Sequence, residues 1–546
     1  MSGRMAANPE IFKVTTEQGE RRDSRAVIGE HASGELFLGV VGHAGSGTSE
    51  VATSLARLLE DGNLGGEPFD VEILKARDVI ISWARKNGRA VPSSFDTIAS
   101  VRELQNLGDA MRAAKTREGP PDFAVIARRL ALRIRKTRAA KTNVSSEGID
   151  PILPDGKRRA YILDSIRHQG EVEFLRRLYT DAFILVGVVC EEDRRRSRLG
   201  KKYSDAGDKA AESFMKRDSD ADEKHGQHVS RAFHLADFFV DNTEDRLLRD
   251  QRPNPAWEIN EHLSRLVKIL THVELVRPTV PETAMYHAYG AQMRSACLSR
   301  QVGAALVDAT GNLIATGTNE VPKGGGGVYG QRFDDGSLDE RCAYRVSGPR
   351  ECTNTREQNR IIQELIQDVP ELKALSANRK EALATELRKT RIGRLLEFSR
   401  AVHAEMNAVL SAARQAISPV GTRLFVTTFP CHNCARQLVA AGVDEVQYIE
   451  PYPKSQALLF HNDSIQLEAA EWKPPSRGGE KVWVHPFSGV APHMYDRAFI
   501  KDRPLKNETT GAMEFGSPDW GTQWDVRRIS YVQLEAQLAK EDADVE

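Results

Sequence analysis

One histidine and two cysteines constrain this chain more than any other residues in it. His403-Ala404-Glu405 is followed by Pro430-Cys431-His432-Asn433-Cys434. An imidazole and two thiolates at this spacing supply three ligands for a tetrahedral zinc. A set of three leaves the fourth position open for water, as a catalytic zinc requires. Glu405 stands two residues beyond the histidine, where it is placed to move protons rather than to bind metal. The pattern predicts His403 at the start of a helix running through residue 413 and Cys431 at the start of another reaching 441. The partial positive charge of a helix N-terminus favours the thiolate forms of Cys431 and Cys434. Pro430 suits the entry to that helix because it has no N–H to leave unpaired. The competing assignment is a closed zinc knuckle with His432 or His461 as fourth ligand, but such a site has no use for Glu405.

At 546 residues the chain exceeds one ordinary core, so two or more domains are expected. Its 76 Lys and Arg nearly cancel 77 Asp and Glu, which gives no support for a long polyanion as substrate. No DNA substrate is therefore expected. No long apolar run suggests a membrane span, and the first residues are polar, so a cytoplasmic protein without a membrane partner is expected. Six cysteines are few for this length and do not read as a disulfide framework. Cys190, Cys297, Cys342 and Cys352 are expected as buried small hydrophobes. A second zinc on Cys297, Cys342 and Cys352 has no compact ligand spacing behind it.

The N-terminal half contains a second constellation. Residues 36–41 read as a buried strand, followed by Gly42-His43-Ala44-Gly45-Ser46-Gly47-Thr48-Ser49 and an apolar helix through Leu59. Strand, glycine-rich turn and helix are the context in which backbone N–H groups cradle phosphate. Gly42, Gly45, Ser46, Gly47, Thr48 and Ser49 are the candidate nucleotide-binding residues. A phosphate loop ordinarily has Lys where Thr48 stands, which weakens the case for phosphoryl transfer and leaves the backbone cradle intact. Residues 160–164 form an apolar strand ending in Asp164, a position from which magnesium is commonly held. A further strand over 182–190 precedes Arg194, Arg195, Arg196 and Arg198, where a phosphate-sensing lid would sit. ATP or another nucleotide with Mg²⁺ is the ligand this layout suits.

Pro253 and Pro255 break the chain, and residues 257–276 read as an amphipathic connector helix. The expected division is a flexible arm over 1–30, a nucleotide-kinase-like domain over 31–255, a connector over 256–280 and a zinc domain over 281–546. An insertion at 323–400 carries Arg332, Arg341, Arg345 and Arg350, suited to phosphate, then one long charged helix over 356–396. The acidic end from Glu535 onward is expected to be mobile.

Val402 to Leu410 (VHAEMNAVL) and Thr427 to Tyr448 (TTFPCHNCARQLVAAGVDEVQY) resemble deoxycytidylate deaminases. Together with the N-terminal turn, the chain resembles the two-domain antiphage dCTP deaminases of bacteria. The resemblance implies an α/β protein with an N-terminal P-loop NTPase-like parallel sheet with helices and a C-terminal cytidine deaminase-like α/β/α sandwich. It implies Zn²⁺-dependent conversion of dCTP to dUTP, and of dCMP to dUMP, depleting dCTP in phage infection. It also implies regulation by the P-loop domain, a homo-oligomer, and an RNA or protein inhibitor. Asn319 falls where the family contacts the sugar hydroxyl, although Gly317-Thr318-Asn319-Glu320 departs from the usual Gly-Tyr-Asn-Gly form. Arg300 and Lys454 are its candidate phosphate contacts. The alternatives are a polynucleotide deaminase acting on tRNA or single-stranded DNA, and a nucleotide sensor whose deaminase half is inactive.

Overall fold

The computed structural model describes residues 33–62, 68–114, 122–221, 223–248, 250, 252–271, 274–330, 351–452, 455–469, 471–501, 505–514 and 531–543. The expected N-terminal arm, Arg332, Arg341, Cys342, Arg345, Arg350 and Lys454 lie outside the described residues.

Long apolar runs become the inner strands of a first sheet. β1 (Glu35–Gly42), β2 (Asp70–Lys75), β3 (Arg159–Ile166), β4 (Phe183–Val189) and β5 (Phe238–Asp241) pair in parallel. Every residue of β1 and β4 is buried, as strands covered on both faces require. The strand order is β5-β4-β1-β3-β2, and a short strand from the C-terminal residues, β12 (Gly489–Val490), adds beside β5. The chain therefore lays β2 and β3 on one side of β1 and then crosses to the other side for β4 and β5, and this reversal opens a crevice at the carboxyl end of β1.

The helices of this half are α1 (Thr48–Glu60), α2 (Ala76–Lys86), α3 (Ile98–Ala113), α4 (Val125–Lys141), α5 (Gln169–Tyr179), α6 (Glu192–Lys202) and α7 (Asp208–Ser219). The expected connector is α8 (Ile259–Thr271), shorter than its periodic pattern. Ile259, Leu263, Leu266 and Leu270 pack with Val51, Leu55 and Leu59 of α1. α8 thus belongs to the first core, and the separate connector expected over 256–280 is corrected on that point.

α9 (Val280–Gln292) leads to a second sheet of order β10-β11-β9-β8-β6-β7. Its strands are β6 (Gly303–Val307), β7 (Leu313–Thr318), β8 (Arg423–Thr428), β9 (Glu445–Glu450), β10 (Ile465–Gln466) and β11 (Val482–Pro486). β6 runs antiparallel to β7 and β8, and β8, β9, β11 and β10 are parallel. Alternation along the strands separates two faces. Ala305, Val307 and Phe425 meet Ala284, Met285 and Ala288 of α9. Ala304, Leu306 and Leu424 meet Ala404 and Ala408 of α12 (Ala404–Arg414) and Leu438 of α13 (His432–Ala441). The α9 face is continuous with the core that holds Phe37 and Phe239 of the first sheet, so the two halves share apolar packing.

Between β7 and α12 the expected single helix is broken into α10 (Thr353–Asp368), a short helical turn at Pro370–Lys373, and α11 (Ala377–Arg388). Pro370 has no N–H to continue the first. The chain folds back so that Leu395 O accepts from Asn354 Nδ2 and Gln358 Nε2, each at 2.7 Å.

The C-terminal residues correct the expected boundary most. After β11 the chain leaves the second sheet: Phe487 enters the shared core, and β12 (Gly489–Val490) pairs antiparallel with Phe238 and Phe239 of β5. α14 (Tyr531–Ala543) packs on α4. Glu535, expected in a mobile tail, is 0% exposed. Its carboxylate pairs with Arg138 at 2.5 Å, and Glu35 pairs with the same guanidinium at 2.7 Å. Tyr179 Oη donates to Glu535 at 2.8 Å and Tyr531 Oη to Glu35 at 2.8 Å. A buried guanidinium needs such partners, because an unpaired buried charge is strongly destabilising. The tail is held by Arg138. Among the described residues, no helix is long and apolar enough to cross a membrane.

Candidate active site

Two helix N-termini at one rim of the second sheet, past the carboxyl ends of β7 and β8, bring His403, Cys431 and Cys434 together. His403 is the extended residue before α12, and Cys431 holds the same place before α13. His403 Nδ1 lies 3.3 Å from both sulfurs, and one ligand atom from each residue lies within 4.8 Å of the others. That span suits a tetrahedral ion with bonds of roughly 2.0–2.3 Å, and two sulfurs with an imidazole suit zinc. The donor set therefore fits the metal its chemistry implies. His432, the residue between these cysteines, packs edge-on against Phe460 at 5.8 Å and is not in the cluster.

The protonation states of this group are interlocked. The Cys431 thiol is pulled down to about 4 by its hydrogen bond from Cys434 and by His403. Cys434, as the donor, is pushed up. His403 rises to about 9 through its hydrogen bond to Cys431. Metal binding replaces these shared protons. Glu405 is 4% exposed, and burial pushes its carboxyl above the usual range. His403, Cys431 and Cys434 all act on its charge, so its carboxyl lies beside the same centre.

The placement of α12 depends on a glycine and an asparagine. A Cβ on Gly317 of β7 would meet Ala404 O at 2.0 Å, so the helix backbone lies directly on the strand. Asn407 Oδ1 accepts from Thr318 N at 3.0 Å and locks that contact. Neither residue was singled out from the sequence for this task. The available signal was a polar residue on the apolar face of VHAEMNAVL.

Asn319 and Arg300 stand at the same edge. Asn319 Oδ1 accepts from Val302 N and its Nδ2 donates to Arg300 O, both at 2.7 Å. The amide thus holds the 300–302 backbone. Arg300 pairs with Glu450 at 3.2 Å and lies over the Tyr452 ring at 5.6 Å. Glu450 O accepts from Phe429 N at 2.8 Å, just ahead of Pro430 and Cys431.

The second constellation occupies the crevice beside β1. Gly45 and Gly47 have φ of 84° and 85°, values that favour glycine. A Cβ on Gly45 would also meet Arg195 O at 2.6 Å. Thr48 opens α1 and is buried. Ser49 Oγ donates to Asp164 Oδ2 at 2.7 Å, so the turn and the carboxyl-terminal part of β3 meet. Ala44 N donates to Asp218 Oδ2 at 2.7 Å, and Arg167 Nη1 donates to Asp218 Oδ1 and to Gly42 O, each at 2.9 Å. The four arginines of the expected lid divide. Arg196 pairs with Glu192 at 3.1 Å, while Arg198 is spent on Asn242 O, Glu244 O and Asp245. His43 is held at about 3 by burial, with Arg195 and Arg167 adding to it.

Three comparisons bear on these sites. Residues 278–450 match the family model of the cytidine and deoxycytidylate deaminase zinc-binding region. Over 176 residues the chain is 30% identical to the deoxycytidylate deaminase of Enterobacteria phage T4, covering 32% of this chain and 79% of that protein. It is equally similar to the phage T2 enzyme, of which it covers 81%. Among solved structures, the dCMP deaminase of cyanophage S-TIM5 in complex with dCMP and dUMP is 20% identical. The match covers 39% of this chain and 99% of that one, with a TM-score of 0.22.

Proposed function

The chain belongs to the deoxycytidylate deaminase family, and on that premise we propose that it hydrolyses the 4-amino group of free deoxycytidine nucleotides, converting dCTP to dUTP and dCMP to dUMP. Glu405 is the residue on which this proposal turns, because a buried carboxyl beside the cysteine cluster has no role in a purely structural zinc site. A zinc ion held by His403, Cys431 and Cys434 supplies Lewis acidity that makes water a nucleophile near neutral pH.

Glu405 takes a proton from the attacking water and delivers it to ring N3, then takes the second proton from the new C4 hydroxyl and passes it to the departing amine. Nitrogen leaves as ammonia, and the water oxygen remains on C4 as the carbonyl. A carboxyl raised by burial can hold a proton between these transfers. Asn319 fixes the edge that carries Arg300, and Arg300, on exchanging Glu450 for substrate, meets phosphate, with Lys454 as a second phosphate contact. The near-zero net charge supports a free nucleotide over a polynucleotide.

In this proposal Gly42, Gly45, Ser46, Gly47, Thr48, Ser49 and Asp164 hold a nucleotide with Mg²⁺, and that half regulates the deaminase. A cytoplasmic homo-oligomer draining dCTP during phage infection, restrained by an RNA or protein inhibitor, completes it. The test is ammonia release from dCTP and dCMP by the purified chain, with Glu405→Ala as control. Turnover of neither nucleotide would sink the substrate assignment. Turnover of an oligonucleotide but not of free nucleotides would transfer it to polynucleotide deamination.

A further inference from the structure

The glycine-rich turn brings no full positive charge to an anion. Thr48 stands where a phosphate loop ordinarily has Lys, and His43, held at about 3, is uncharged near neutral pH. The crevice beside β1 is a cleft of about 540 Å³, and Lys75, Arg77, Arg167, Arg198 and Lys202 line its wall. Four of these cations are engaged. Arg167 and Arg198 hold the partners described above, Arg77 lies over the Phe95 ring at 5.3 Å, and Lys202 lies over the Tyr203 ring at 5.2 Å. Lys75 is exposed and has no partner among the described residues. It ends β2, and its Cα pairs in register with Asp164 of β3. Residues paired in this way point to the same face of the sheet, so the ammonium leaves the strand beside the Asp164 carboxylate. Asp164 accepts from the Ser49 and Ser165 hydroxyls at 2.7 and 2.9 Å, and among the described residues no cation pairs with it. A phosphate arriving past Ser49 therefore meets an uncompensated carboxylate, with Lys75 on its far side.

We propose that Lys75 supplies the positive charge that the turn lacks, and that the cleft takes a chain of three phosphates, the outermost lying between Asp164 and Lys75. The proposal rests on the reading of that turn as a phosphate cradle. β3 stands between β1 and β2, and neighbouring strands lie about 4.8 Å apart, so Lys75 starts roughly 10 Å across the sheet from the end of β1. A short anion seated on the 43–49 amides stays near β1, whereas a third phosphate extends past Asp164 to the lysine. Lys75 also precedes α2 without offering that helix a side-chain cap, so the positive end of α2 faces the same space. A lysine serves phosphate as a point charge and needs no fixed orientation to do so. The cleft thereby distinguishes a nucleoside triphosphate from its diphosphate by the length of the phosphate chain.

The test is titration calorimetry on the full chain with inorganic tripolyphosphate and with pyrophosphate, for wild type, Lys75→Met and Lys75→Arg. Neither probe carries a base, so the result does not depend on which nucleoside the cleft accepts. Binding at the zinc site is common to all three proteins, and a change on substitution therefore belongs to the cleft. Lys75→Met is expected to weaken tripolyphosphate about tenfold or more and to leave pyrophosphate nearly as it was. Its urea midpoint should match wild type, because the side chain is exposed. Lys75→Arg keeps the charge and is expected to retain most of the tripolyphosphate affinity. Tripolyphosphate bound equally by wild type and Lys75→Met would overturn the role of Lys75 and leave the cradle standing. Equal weakening of both probes would overturn the reading of chain length, since the charge would then act on the turn as a whole. Failure of tripolyphosphate to bind wild type would remove the cradle, and this proposal with it.

Discussion

Both candidate sites are built from helix N-termini past the carboxyl ends of strands, yet they satisfy their polar groups in opposite ways. In the glycine-rich crevice the chain supplies its own partners: Asp218 accepts from Ala44 N, and Asp164 accepts from Ser49 Oγ. At the cysteine cluster the ligand atoms have chiefly one another, with His403 Nδ1 3.3 Å from each sulfur. The crevice can keep its shape without a ligand, whereas the cluster holds protons that only a metal replaces well. A helix N-terminus is therefore an incomplete description of a site. What already fills it decides whether the ligand is structural or exchangeable.

The comparison is broken most directly at Glu405. Glu405→Ala is expected to lower deamination by roughly 10²–10⁴-fold while zinc per chain, measured by atomic emission, stays at the wild-type value. Loss of zinc in that variant would make Glu405 part of the cluster's own support instead of its proton carrier.

Next in size is the buried pair that ties the C-terminal helix to the first sheet. Arg138→Met leaves Glu35 and Glu535 buried and unpaired, and is expected to cost about 3–5 kcal/mol in urea unfolding. Zinc content should not change, since the disturbance lies in the half that fills its own polar groups. Gly317→Ala sets a Cβ against Ala404 O and should cost about 1–3 kcal/mol. It is also expected to lower turnover, because the displaced helix carries His403 and Glu405. Unchanged activity would show that α12 shifts freely on β7.

The smallest expected effect is a pH dependence. Arg159 holds the Asp155 carboxyl down at about 2 by hydrogen bonding. The folded value is below the unfolded one of about 3.9, so the pair's contribution is fully present above pH 4 and lost as the pH falls toward 2. The difference in urea midpoint between wild type and Asp155→Asn should be constant from pH 5 to 8 and fade below pH 4. A difference that persists at pH 2 would assign the effect to packing.

The sequence made legible whatever local chemistry restricts. Few residue types bind zinc, so His403, Cys431 and Cys434 stand out before any fold is known, and the fold brings them together. Continuous apolar runs marked β1, β3 and β4, because strands buried on both faces tolerate little else. Pairings between distant residues were not legible. Arg138 and Glu535 are 397 positions apart, and on its own an acidic stretch reads as a solvated end. Asn319 shows a third kind of difficulty. A side chain that fits a substrate contact by pattern spends both ends of its amide on the backbone at 300 and 302.

The return of the C-terminal residues to the first sheet also bears on how the protein is made. β5 and Arg138 obtain β12 and Glu535 only from segments translated after the whole cysteine cluster. A ribosome-bound chain that has just exposed Cys434 has therefore finished its metal ligands but not its first sheet. Limited proteolysis of chains stalled before and after residue 489 should show the N-terminal half becoming resistant only in the longer ones. Synthesis order alone would then keep an incomplete chain from presenting a finished crevice beside β1.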